Sequence, residues 1–258
     1  MQDLVNPFDT TMSLKINCAN TKQLVTWPDG LPNQLKQSLN ENGTCRVFQK
    51  GDPVSELMHS SGSICVVVSG AVKAQVCDAD GTVTVLGFYL QGDLLGFDSS
   101  AMGDMPYEAI ALCTTRLFIL PMDKYWQLSE QPLVLAKYHT ALMGRALREA
   151  NRRTALIGNF DSDQKLAYFL LNIAARMHHQ NYARYHFNLP MSRVEMSQYL
   201  FVTAETISRT LTRFQSCGYL TVKRTEIHII EPQSLLALLY KQPAPSYMMT
   251  DHLQSKAL

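Results

Sequence analysis

The sequence has no C-x-x-C pair, no run of about 18 apolar residues and no large excess of either charge. Each absence excludes something. The six cysteines, Cys18, Cys45, Cys65, Cys77, Cys113 and Cys217, are scattered, so they offer no zinc-ribbon or thioredoxin-type spacing. Most are expected to be small core residues in a reducing compartment. Without a long apolar run, no membrane-spanning helix is expected. The first ten residues, MQDLVNPFDT, lack a basic n-region and an apolar h-region, so no signal peptide is expected and the chain reads as cytoplasmic, with no membrane partner. A net charge of +1 does not announce nucleic acid, although a local basic patch would suffice for it. There is no P-loop, no G-x-S-x-G, no H-E-x-x-H and no paired Cys-His spacing. The chain therefore reads as no enzyme, with no catalytic residue, no metal ligand and no cofactor assigned.

What is present points to a packed protein. Of 258 residues, 46% are hydrophobic and 17% charged, which argues against global disorder. Residues 1–30 read as a polar, irregular extension broken by Pro7, Pro28 and Gly30. A short amphipathic helix is expected at 31–40. From about 44 to 120, short β-branched runs alternate with turn glycines at Gly51, Gly70, Gly81, Gly92 and Gly103. Such punctuation suggests an antiparallel sandwich or jelly roll. "DADG" at 78–81 is a good hairpin turn, because Asp and Gly tolerate positive φ.

Helices take over from about residue 122. Over 133–157, Leu135, Leu142, Ala146, Ala150 and Ile157 keep near-heptad spacing, widened by Tyr138, Leu147 and Leu156. This suits a homodimer seam; an ordinary intramolecular helix is the alternative. "GNFDSD" (158–163) reads as a linker, and an apolar helix follows at 164–177. The tail, 243–258, is weakly patterned.

The most informative stretch is "MSRVEMSQYLFVTAETISRTLTRFQSCGYLTVKRTEIHII". Ser192 and Glu195 make an S-x-x-E capping box, so a helix should start at Arg193 and run to about Leu200. Thr203 can cap a second helix, which should end near Gly218. Two short helices on a tight turn form a helix-turn-helix, and "YLTVK" and "EIHII" then alternate as the strands of a wing. On the second helix Ile207, Leu211 and Phe214 make the core stripe. Glu205, Ser208 and Arg209 share another face at i, i+3, i+4. That face is either a solvated one with a local ion pair or a surface that reads base edges. An acid on a DNA-facing surface favours sequence reading, since nonspecific affinity favours Lys and Arg. Arg209 can fork onto guanine, Glu205 can accept from cytosine N4, and Ser208 is short enough to pack near thymine. Ser192, Arg193, Thr203, Thr206, Arg213, Lys223 and Arg224 are candidates for phosphate contacts.

Residues 31–235 resemble the Crp/Fnr family of bacterial transcription regulators. "FQKGDPV", "VVSGAVK", "GFYLQGDLLGFD" and "VTAETISRTLTRFQSCGYLTVK" carry the resemblance. "E-T-I-S-R" is similar to the recognition helix of the Fnr branch, where Glu, Ser and Arg read a TTGAT…ATCAA palindrome. The cyclic-AMP-receptor branch has a glycine where Ser208 stands. The resemblance implies an α+β chain: an N-terminal β-roll of the cyclic-nucleotide-binding type (31–130), a long dimerisation helix (131–158) and a C-terminal winged helix-turn-helix (159–242). It also implies a homodimer on double-stranded DNA and contact with RNA polymerase.

The sensor departs from the family. Fnr proteins that sense oxygen hold a [4Fe–4S] cluster on three N-terminal cysteines and one in the β-domain. Here Cys18 stands alone in that region. Thr21 and Trp27 occupy the places of its partners, and Phe118 that of the β-domain cysteine; Cys113 lies five residues earlier, and Cys45 is also within the β-domain. The family's cyclic-nucleotide pocket uses Gly-Glu and Arg-Ser pairs. Here Gly96 is followed by Phe97, and Pro106, Tyr107 and Glu108 cover the Arg-Ser place, so a phosphate would meet an acid rather than a cation. The expected function is a sequence-specific regulator free of cluster and cyclic AMP, with no small-molecule effector identified. The alternative is a ligand-, haem- or redox-responsive binding module, for which His59, His139, His178, His179 and Cys45 are the candidate haem ligands.

Overall fold

The computed structural model describes residues 14–16, 25–27, 31–56, 62–96, 107–128, 132–179 and 185–240. Helix α1 (Asn33–Asn42) precedes the strands of the roll, β3 (Thr44–Phe48) to β9 (Thr115–Pro121). One sheet has the order β3-β9-β4-β7, with β4 at Ser63–Ser69 and β7 at Leu94–Leu95. The other has the order β6-β5-β8, with β5 at Ala71–Cys77, β6 at Val83–Leu90 and β8 at Glu108–Ala111. All named pairs are antiparallel.

The continuous apolar run of β4 has a simple cause. Side chains alternate across a strand, and both faces of β4 are covered. Cys65 and Val67 face the interior of the roll with Phe48, Val72, Leu117 and Ile119. Ile64, Val66 and Val68 face outward into a second core with Phe118, Leu120 and α1 residues Leu35 and Leu39. At Gly43, before β3, an added Cβ would lie 1.9 Å from the Phe118 ring, so no side chain fits there.

That second core corrects the expectation for the first thirty residues. Far from irregular throughout, β1 (Lys15–Ile16) pairs with β2 (Val25–Thr26), and Leu14, Val25 and Trp27 are buried. Three apolar side chains suffice to dock a segment whose overall composition is polar. The cysteines also differ from expectation: Cys65 is buried, Cys113 is half-buried, and Cys45, Cys77 and Cys217 are exposed. Cys45 belongs to an edge strand, and Cys77 ends β5 at its hairpin, where one flank faces water. Cys18 lies outside the described residues.

The hairpin between β5 and β6 forms as expected, with Gly81 at φ +83° donating to the Asp78 carbonyl. Helices α2 (Met122–Gln127), α3 (Pro132–Asn159) and α4 (Ser162–His179) follow. Helix α3 leans on the second core through Val134, Tyr138 and Met143. Among the expected seam residues Ala146 is half-buried and Ala150 exposed; the side chains of Leu135, Leu142 and Ile157 lie outside the described residues. Leu133 and Leu147, two heptads apart on α3, are both exposed.

The C-terminal unit holds β10 (His186–Asn188), α5 (Arg193–Leu200), α6 (Ala204–Ser216), β11 (Leu220–Lys223), β12 (Glu226–Ile229) and α7 (Pro232–Leu239). Its sheet has the order β10-β12-β11. The stretch HHQNYARYHFNLP reads as a loop with a short strand, and β10 lies in it; helix α7 is an addition to the sequence reading. Helix α7 is anchored by Leu235 and Leu238, and by Gln164 Nε2 donating to the Leu238 carbonyl at 3.0 Å. Among the described residues no helix is long and apolar enough to cross a membrane.

Candidate nucleic-acid interface

The two reading helices begin and end where their sequence dictates. Ser192 Oγ accepts from the Glu195 backbone N–H at 3.2 Å, and the Glu195 carboxylate accepts from the Ser192 N–H at 2.7 Å. These two bonds close the capping box of α5. The helix stops at Phe201, which takes left-handed angles, φ 54° and ψ 52°. Thr203 then caps α6 by accepting from the Thr206 N–H at 3.1 Å. The far end of α6 is a Schellman motif. Gly218, at φ +75°, donates to the Gln215 carbonyl, and Tyr219 donates to that of Phe214. The rings of Phe214 and Tyr219 pack at 6.0 Å, the apolar contact that accompanies such an end.

Helix α6 buries Ile207, Thr210, Leu211 and Phe214. The opposite side is open. Glu205 and Arg209 are 76% and 68% exposed, with Arg209 Nη1 3.6 Å from Glu205 Oε1. Ser208 lies between them and donates back to the Ala204 carbonyl at 3.0 Å. The three residues expected to read bases therefore share one exposed face in the first two turns of the helix. Glu205, in the first turn, sits at the positive end of the helix dipole.

The expected phosphate set is less uniform. Lys223 and Arg224 are exposed at the wing turn, and Arg224 holds φ 59°. The two-residue loop Arg224-Thr225 joins the facing pair Lys223 and Glu226, with positive φ at its first residue. Arg193 is half-buried and donates to Met196 Sδ at 3.7 Å; burial pulls its guanidinium below the ordinary arginine value, though it stays charged at neutral pH. Arg213 is tied to the Asp163 carboxylate, which also lies 3.4 Å from Thr210 Oγ1. Thr203 and Thr206 bond each other at 2.8 Å.

Several supporting residues escaped the sequence reading. Asp163, within the segment taken as a linker, anchors the back of α6 to α4. Gln215 Oε1 accepts from the Val222 N–H at 2.9 Å and ties the wing to the recognition helix. On the wing face His186 meets Glu226 at 2.7 Å, and its ring lies 5.3 Å from that of His228. The partner of Asp163 is about fifty residues away, so no local spacing announces it.

The family models for the Crp-like helix-turn-helix domain and the cyclic nucleotide-binding domain match residues 164–238 and 45–131. The transcriptional activator protein Anr of Pseudomonas aeruginosa is 33% identical over 192 residues, covering 74% of this chain and 76% of that protein. The chain belongs to the Crp/Fnr family. As a Crp/Fnr transcription regulator it joins a cyclic-nucleotide-binding-type domain to a helix-turn-helix. The transcriptional regulatory protein btr of Bordetella pertussis is 30% identical over 213 residues, covering 82% of this chain and 88% of that one. The fumarate and nitrate reduction regulatory protein of Salmonella typhimurium is 32% identical over 191 residues, covering 74% and 76%. The solved structure of FixK2 from Bradyrhizobium japonicum shares the fold, with a TM-score of 0.69 at 24% identity over 76% of this chain and 96% of that one.

The groups used elsewhere in the Crp/Fnr family can be tested against the residues present. Trp27 and Phe118, in two places of the cluster cysteines, are rings buried together in the second core. Thr21 and Cys18 lie outside the described residues. Among the described residues no three His, Cys, Asp or Glu side chains form a group able to hold a metal ion. Burial pushes the Cys65 thiol up to about 12, so it packs as a neutral side chain. Neither the Trp27 ring nor the Phe118 ring offers iron a thiolate. Where the family's cyclic-nucleotide phosphate would be held, Glu108 accepts from Gln75 Nε2 at 3.0 Å, and Tyr107 is buried. Residues 97–106 of that stretch lie outside the described residues.

Proposed function

We propose that this Crp/Fnr regulator reads a palindromic TTGAT-like site as a homodimer, without a [4Fe–4S] cluster or cyclic AMP. The observation that carries the reading is the exposed face of Glu205, Ser208 and Arg209 on the first two turns of α6. In a helix-turn-helix those turns enter the major groove. Arg209, once released from its 3.6 Å contact with Glu205, donates both arms of its fork to O6 and N7 of guanine. Glu205 accepts from the N4 amino group of the cytosine, and Ser208 packs against thymine. Lys223 and Arg224 at the wing, with Ser192, Arg193, Thr203 and Thr206, contact phosphates and set the register. Arg213 joins them with whichever donors Asp163 leaves open.

Helix α3 supplies the dimer seam through Leu135, Leu142, Ala146, Ala150 and Ile157, and RNA polymerase is the expected protein partner. The chain acts as a regulator rather than an enzyme. The buried rings of Trp27 and Phe118 support cluster-free operation, and Glu108 beside the nucleotide-phosphate place supports independence from cyclic AMP.

The test is DNA binding by protein purified in air and stripped of metal. The probe carries TTGAT…ATCAA beside a scrambled control, at about 150 mM salt, where nonspecific binding is weak. Selective binding of one dimer per site is expected. Binding that appears only after anaerobic iron–sulfur reconstitution, or only with cyclic AMP, would overturn the effector-free reading. Equal binding to the scrambled probe would overturn sequence reading.

A further inference from the structure

The sensor domain and the reading head share one apolar core. Ala71, Val85, Phe88 and Leu90 of the β6-β5-β8 sheet are buried with Phe169 of α4 and with Met196 and Leu200 of α5. Three rings close a triangle across the junction: Phe88 lies 5.9 Å from Phe169 and 5.1 Å from Tyr199, and Phe169 lies 5.7 Å from Tyr199.

Two charged contacts flank the rings. Lys73 Nζ on β5 lies 3.0 Å from Glu195 Oε1 on α5, with the side chains only 14% and 19% exposed. Arg176 on α4 donates to the Phe88 carbonyl at 2.7 Å and to the Asp93 carboxylate. Asp93 in turn accepts from the Leu90 N–H at 2.7 Å, so Arg176 is seated on the turn that ends β6. The two oxygens of Glu195 divide their work. Oε2 closes the capping box on Ser192, and Oε1 meets the lysine of the sensor. A residue of the β-roll thus touches the first turn of the helix-turn-helix.

Largely buried charge pairs are tolerated only when their geometry is met, and they specify arrangement more than they add stability. A reading head rotated on its rings would break both pairs at once. We propose that Lys73 and Arg176 are positioning residues for DNA reading: they seat the helix-turn-helix on the β6-β5-β8 sheet and so fix the rotation and separation of the two recognition helices in the dimer. This inference rests on the palindrome reading above. Its consequence is a preferred half-site spacing. One inserted base pair rotates a half-site by about 34–36° and moves it by about 3.4 Å. A head held by the latch cannot follow, whereas a loosened one can.

The experiment uses the full chain and duplexes whose half-sites stand at the preferred spacing or one base pair nearer or farther. A further duplex changes one base within a half-site. The unaltered protein should favour its own spacing by at least about tenfold. The double variant Lys73→Met with Arg176→Gln should bring that preference within roughly threefold, while discrimination of the altered base is unchanged. Glu195→Gln keeps the capping box, which Gln also serves. It should reproduce the effect of Lys73→Met, and the two together should add little. Lys73→Arg should restore the preference. Thermal unfolding identifies any variant that does not fold, in which case the single variants Lys73→Gln and Arg176→Lys carry the comparison.

Folded variants that keep the full spacing preference overturn the inference. So does a parallel loss of spacing and base discrimination, the mark of a general structural role. Failure of the palindrome reading is told apart because it needs no variant: the unaltered chain would then show no preference for paired half-sites, and the inference falls with it.

Discussion

Arg209→Ala separates the two readings of the α6 face. In the folded chain Arg209 is 68% exposed, and its ionic contact is the 3.6 Å pair with Glu205 one turn back. An exposed i,i+4 pair contributes about 0.3–0.5 kcal/mol. Alanine is also a good helix former, so folding should barely change and the melting temperature should move by no more than about 2 °C. DNA binding should respond on a different scale. Loss of a bidentate guanine contact costs about 1–3 kcal/mol, and a dimer on a palindrome loses the contact twice. Affinity for the TTGAT-type duplex should therefore fall by roughly 2–6 kcal/mol, with the loss confined to the G·C pair of each half-site. The assay is competition binding at fixed salt against duplexes changed one pair at a time. Arg209→Lys keeps the charge but not the fork, and should also lose most of the discrimination. Equal weakening on every duplex would assign Arg209 to a phosphate. Unchanged binding throughout would return the Glu205–Arg209 face to ordinary solvated surface and refute the reasoning.

Other consequences follow from single residues. Lys223→Ala should lower the salt dependence of DNA binding by about 0.9 per phosphate contact, hence about 1.8 for a dimer, with base preference unchanged; titrations at several salt concentrations measure it. Gly43→Ala drives a methyl group into the Phe118 ring, 1.9 Å from its nearest atom, and should destabilise the fold by about 1–3 kcal/mol in denaturant unfolding. Burial of Glu195 works to raise its pKa, but hydrogen bonds from Ser192 and Lys73 outweigh it and hold the carboxyl below the ordinary glutamate value. The stability this supplies is fully present above the unfolded pKa, about 4.3, and is lost as pH falls through the folded value. The advantage of the unaltered chain over Glu195→Gln should accordingly shrink on acidification, as followed by denaturant titration. Under a thiol-alkylating reagent the exposed Cys45, Cys77 and Cys217 should label in the native state, and Cys65 only on unfolding; native labelling of Cys65 would contradict its burial.

The reading head was legible because its signals are local. Ser192 and Glu195, Thr203, the Ile207–Leu211–Phe214 stripe and Gly218 each act within one or two turns, and each does in the structure what its spacing dictates. The face of Glu205, Ser208 and Arg209 was legible for the same reason, being a matter of helical geometry alone. What the sequence hides is long-range. Lys73 and Glu195 are far apart in the chain, and Asp93 and Arg176 are 83 residues apart. No periodicity within either segment marks them as partners. The ladder of Lys15–Ile16 with Val25–Thr26 was hidden in another way: its strands are two residues long, too short for alternation to show. Cys45 and Cys77 were misjudged because residue type gives average burial, whereas edge position decides it for a given strand.

Strands β4 and β9 form a partition with an apolar room on either side, and the N-terminal segment is part of the outer wall. Trimming the chain to begin at residue 31 would strip Leu14, Val25 and Trp27 from that wall and leave the outward side chains of Ile64, Val66, Phe118 and Leu120 partly wetted. A shortened protein would then carry a sticky flank beside α3, the helix proposed above as the dimer seam. Loss of the polar-looking N-terminus would thus be felt as faulty assembly rather than as a missing tail.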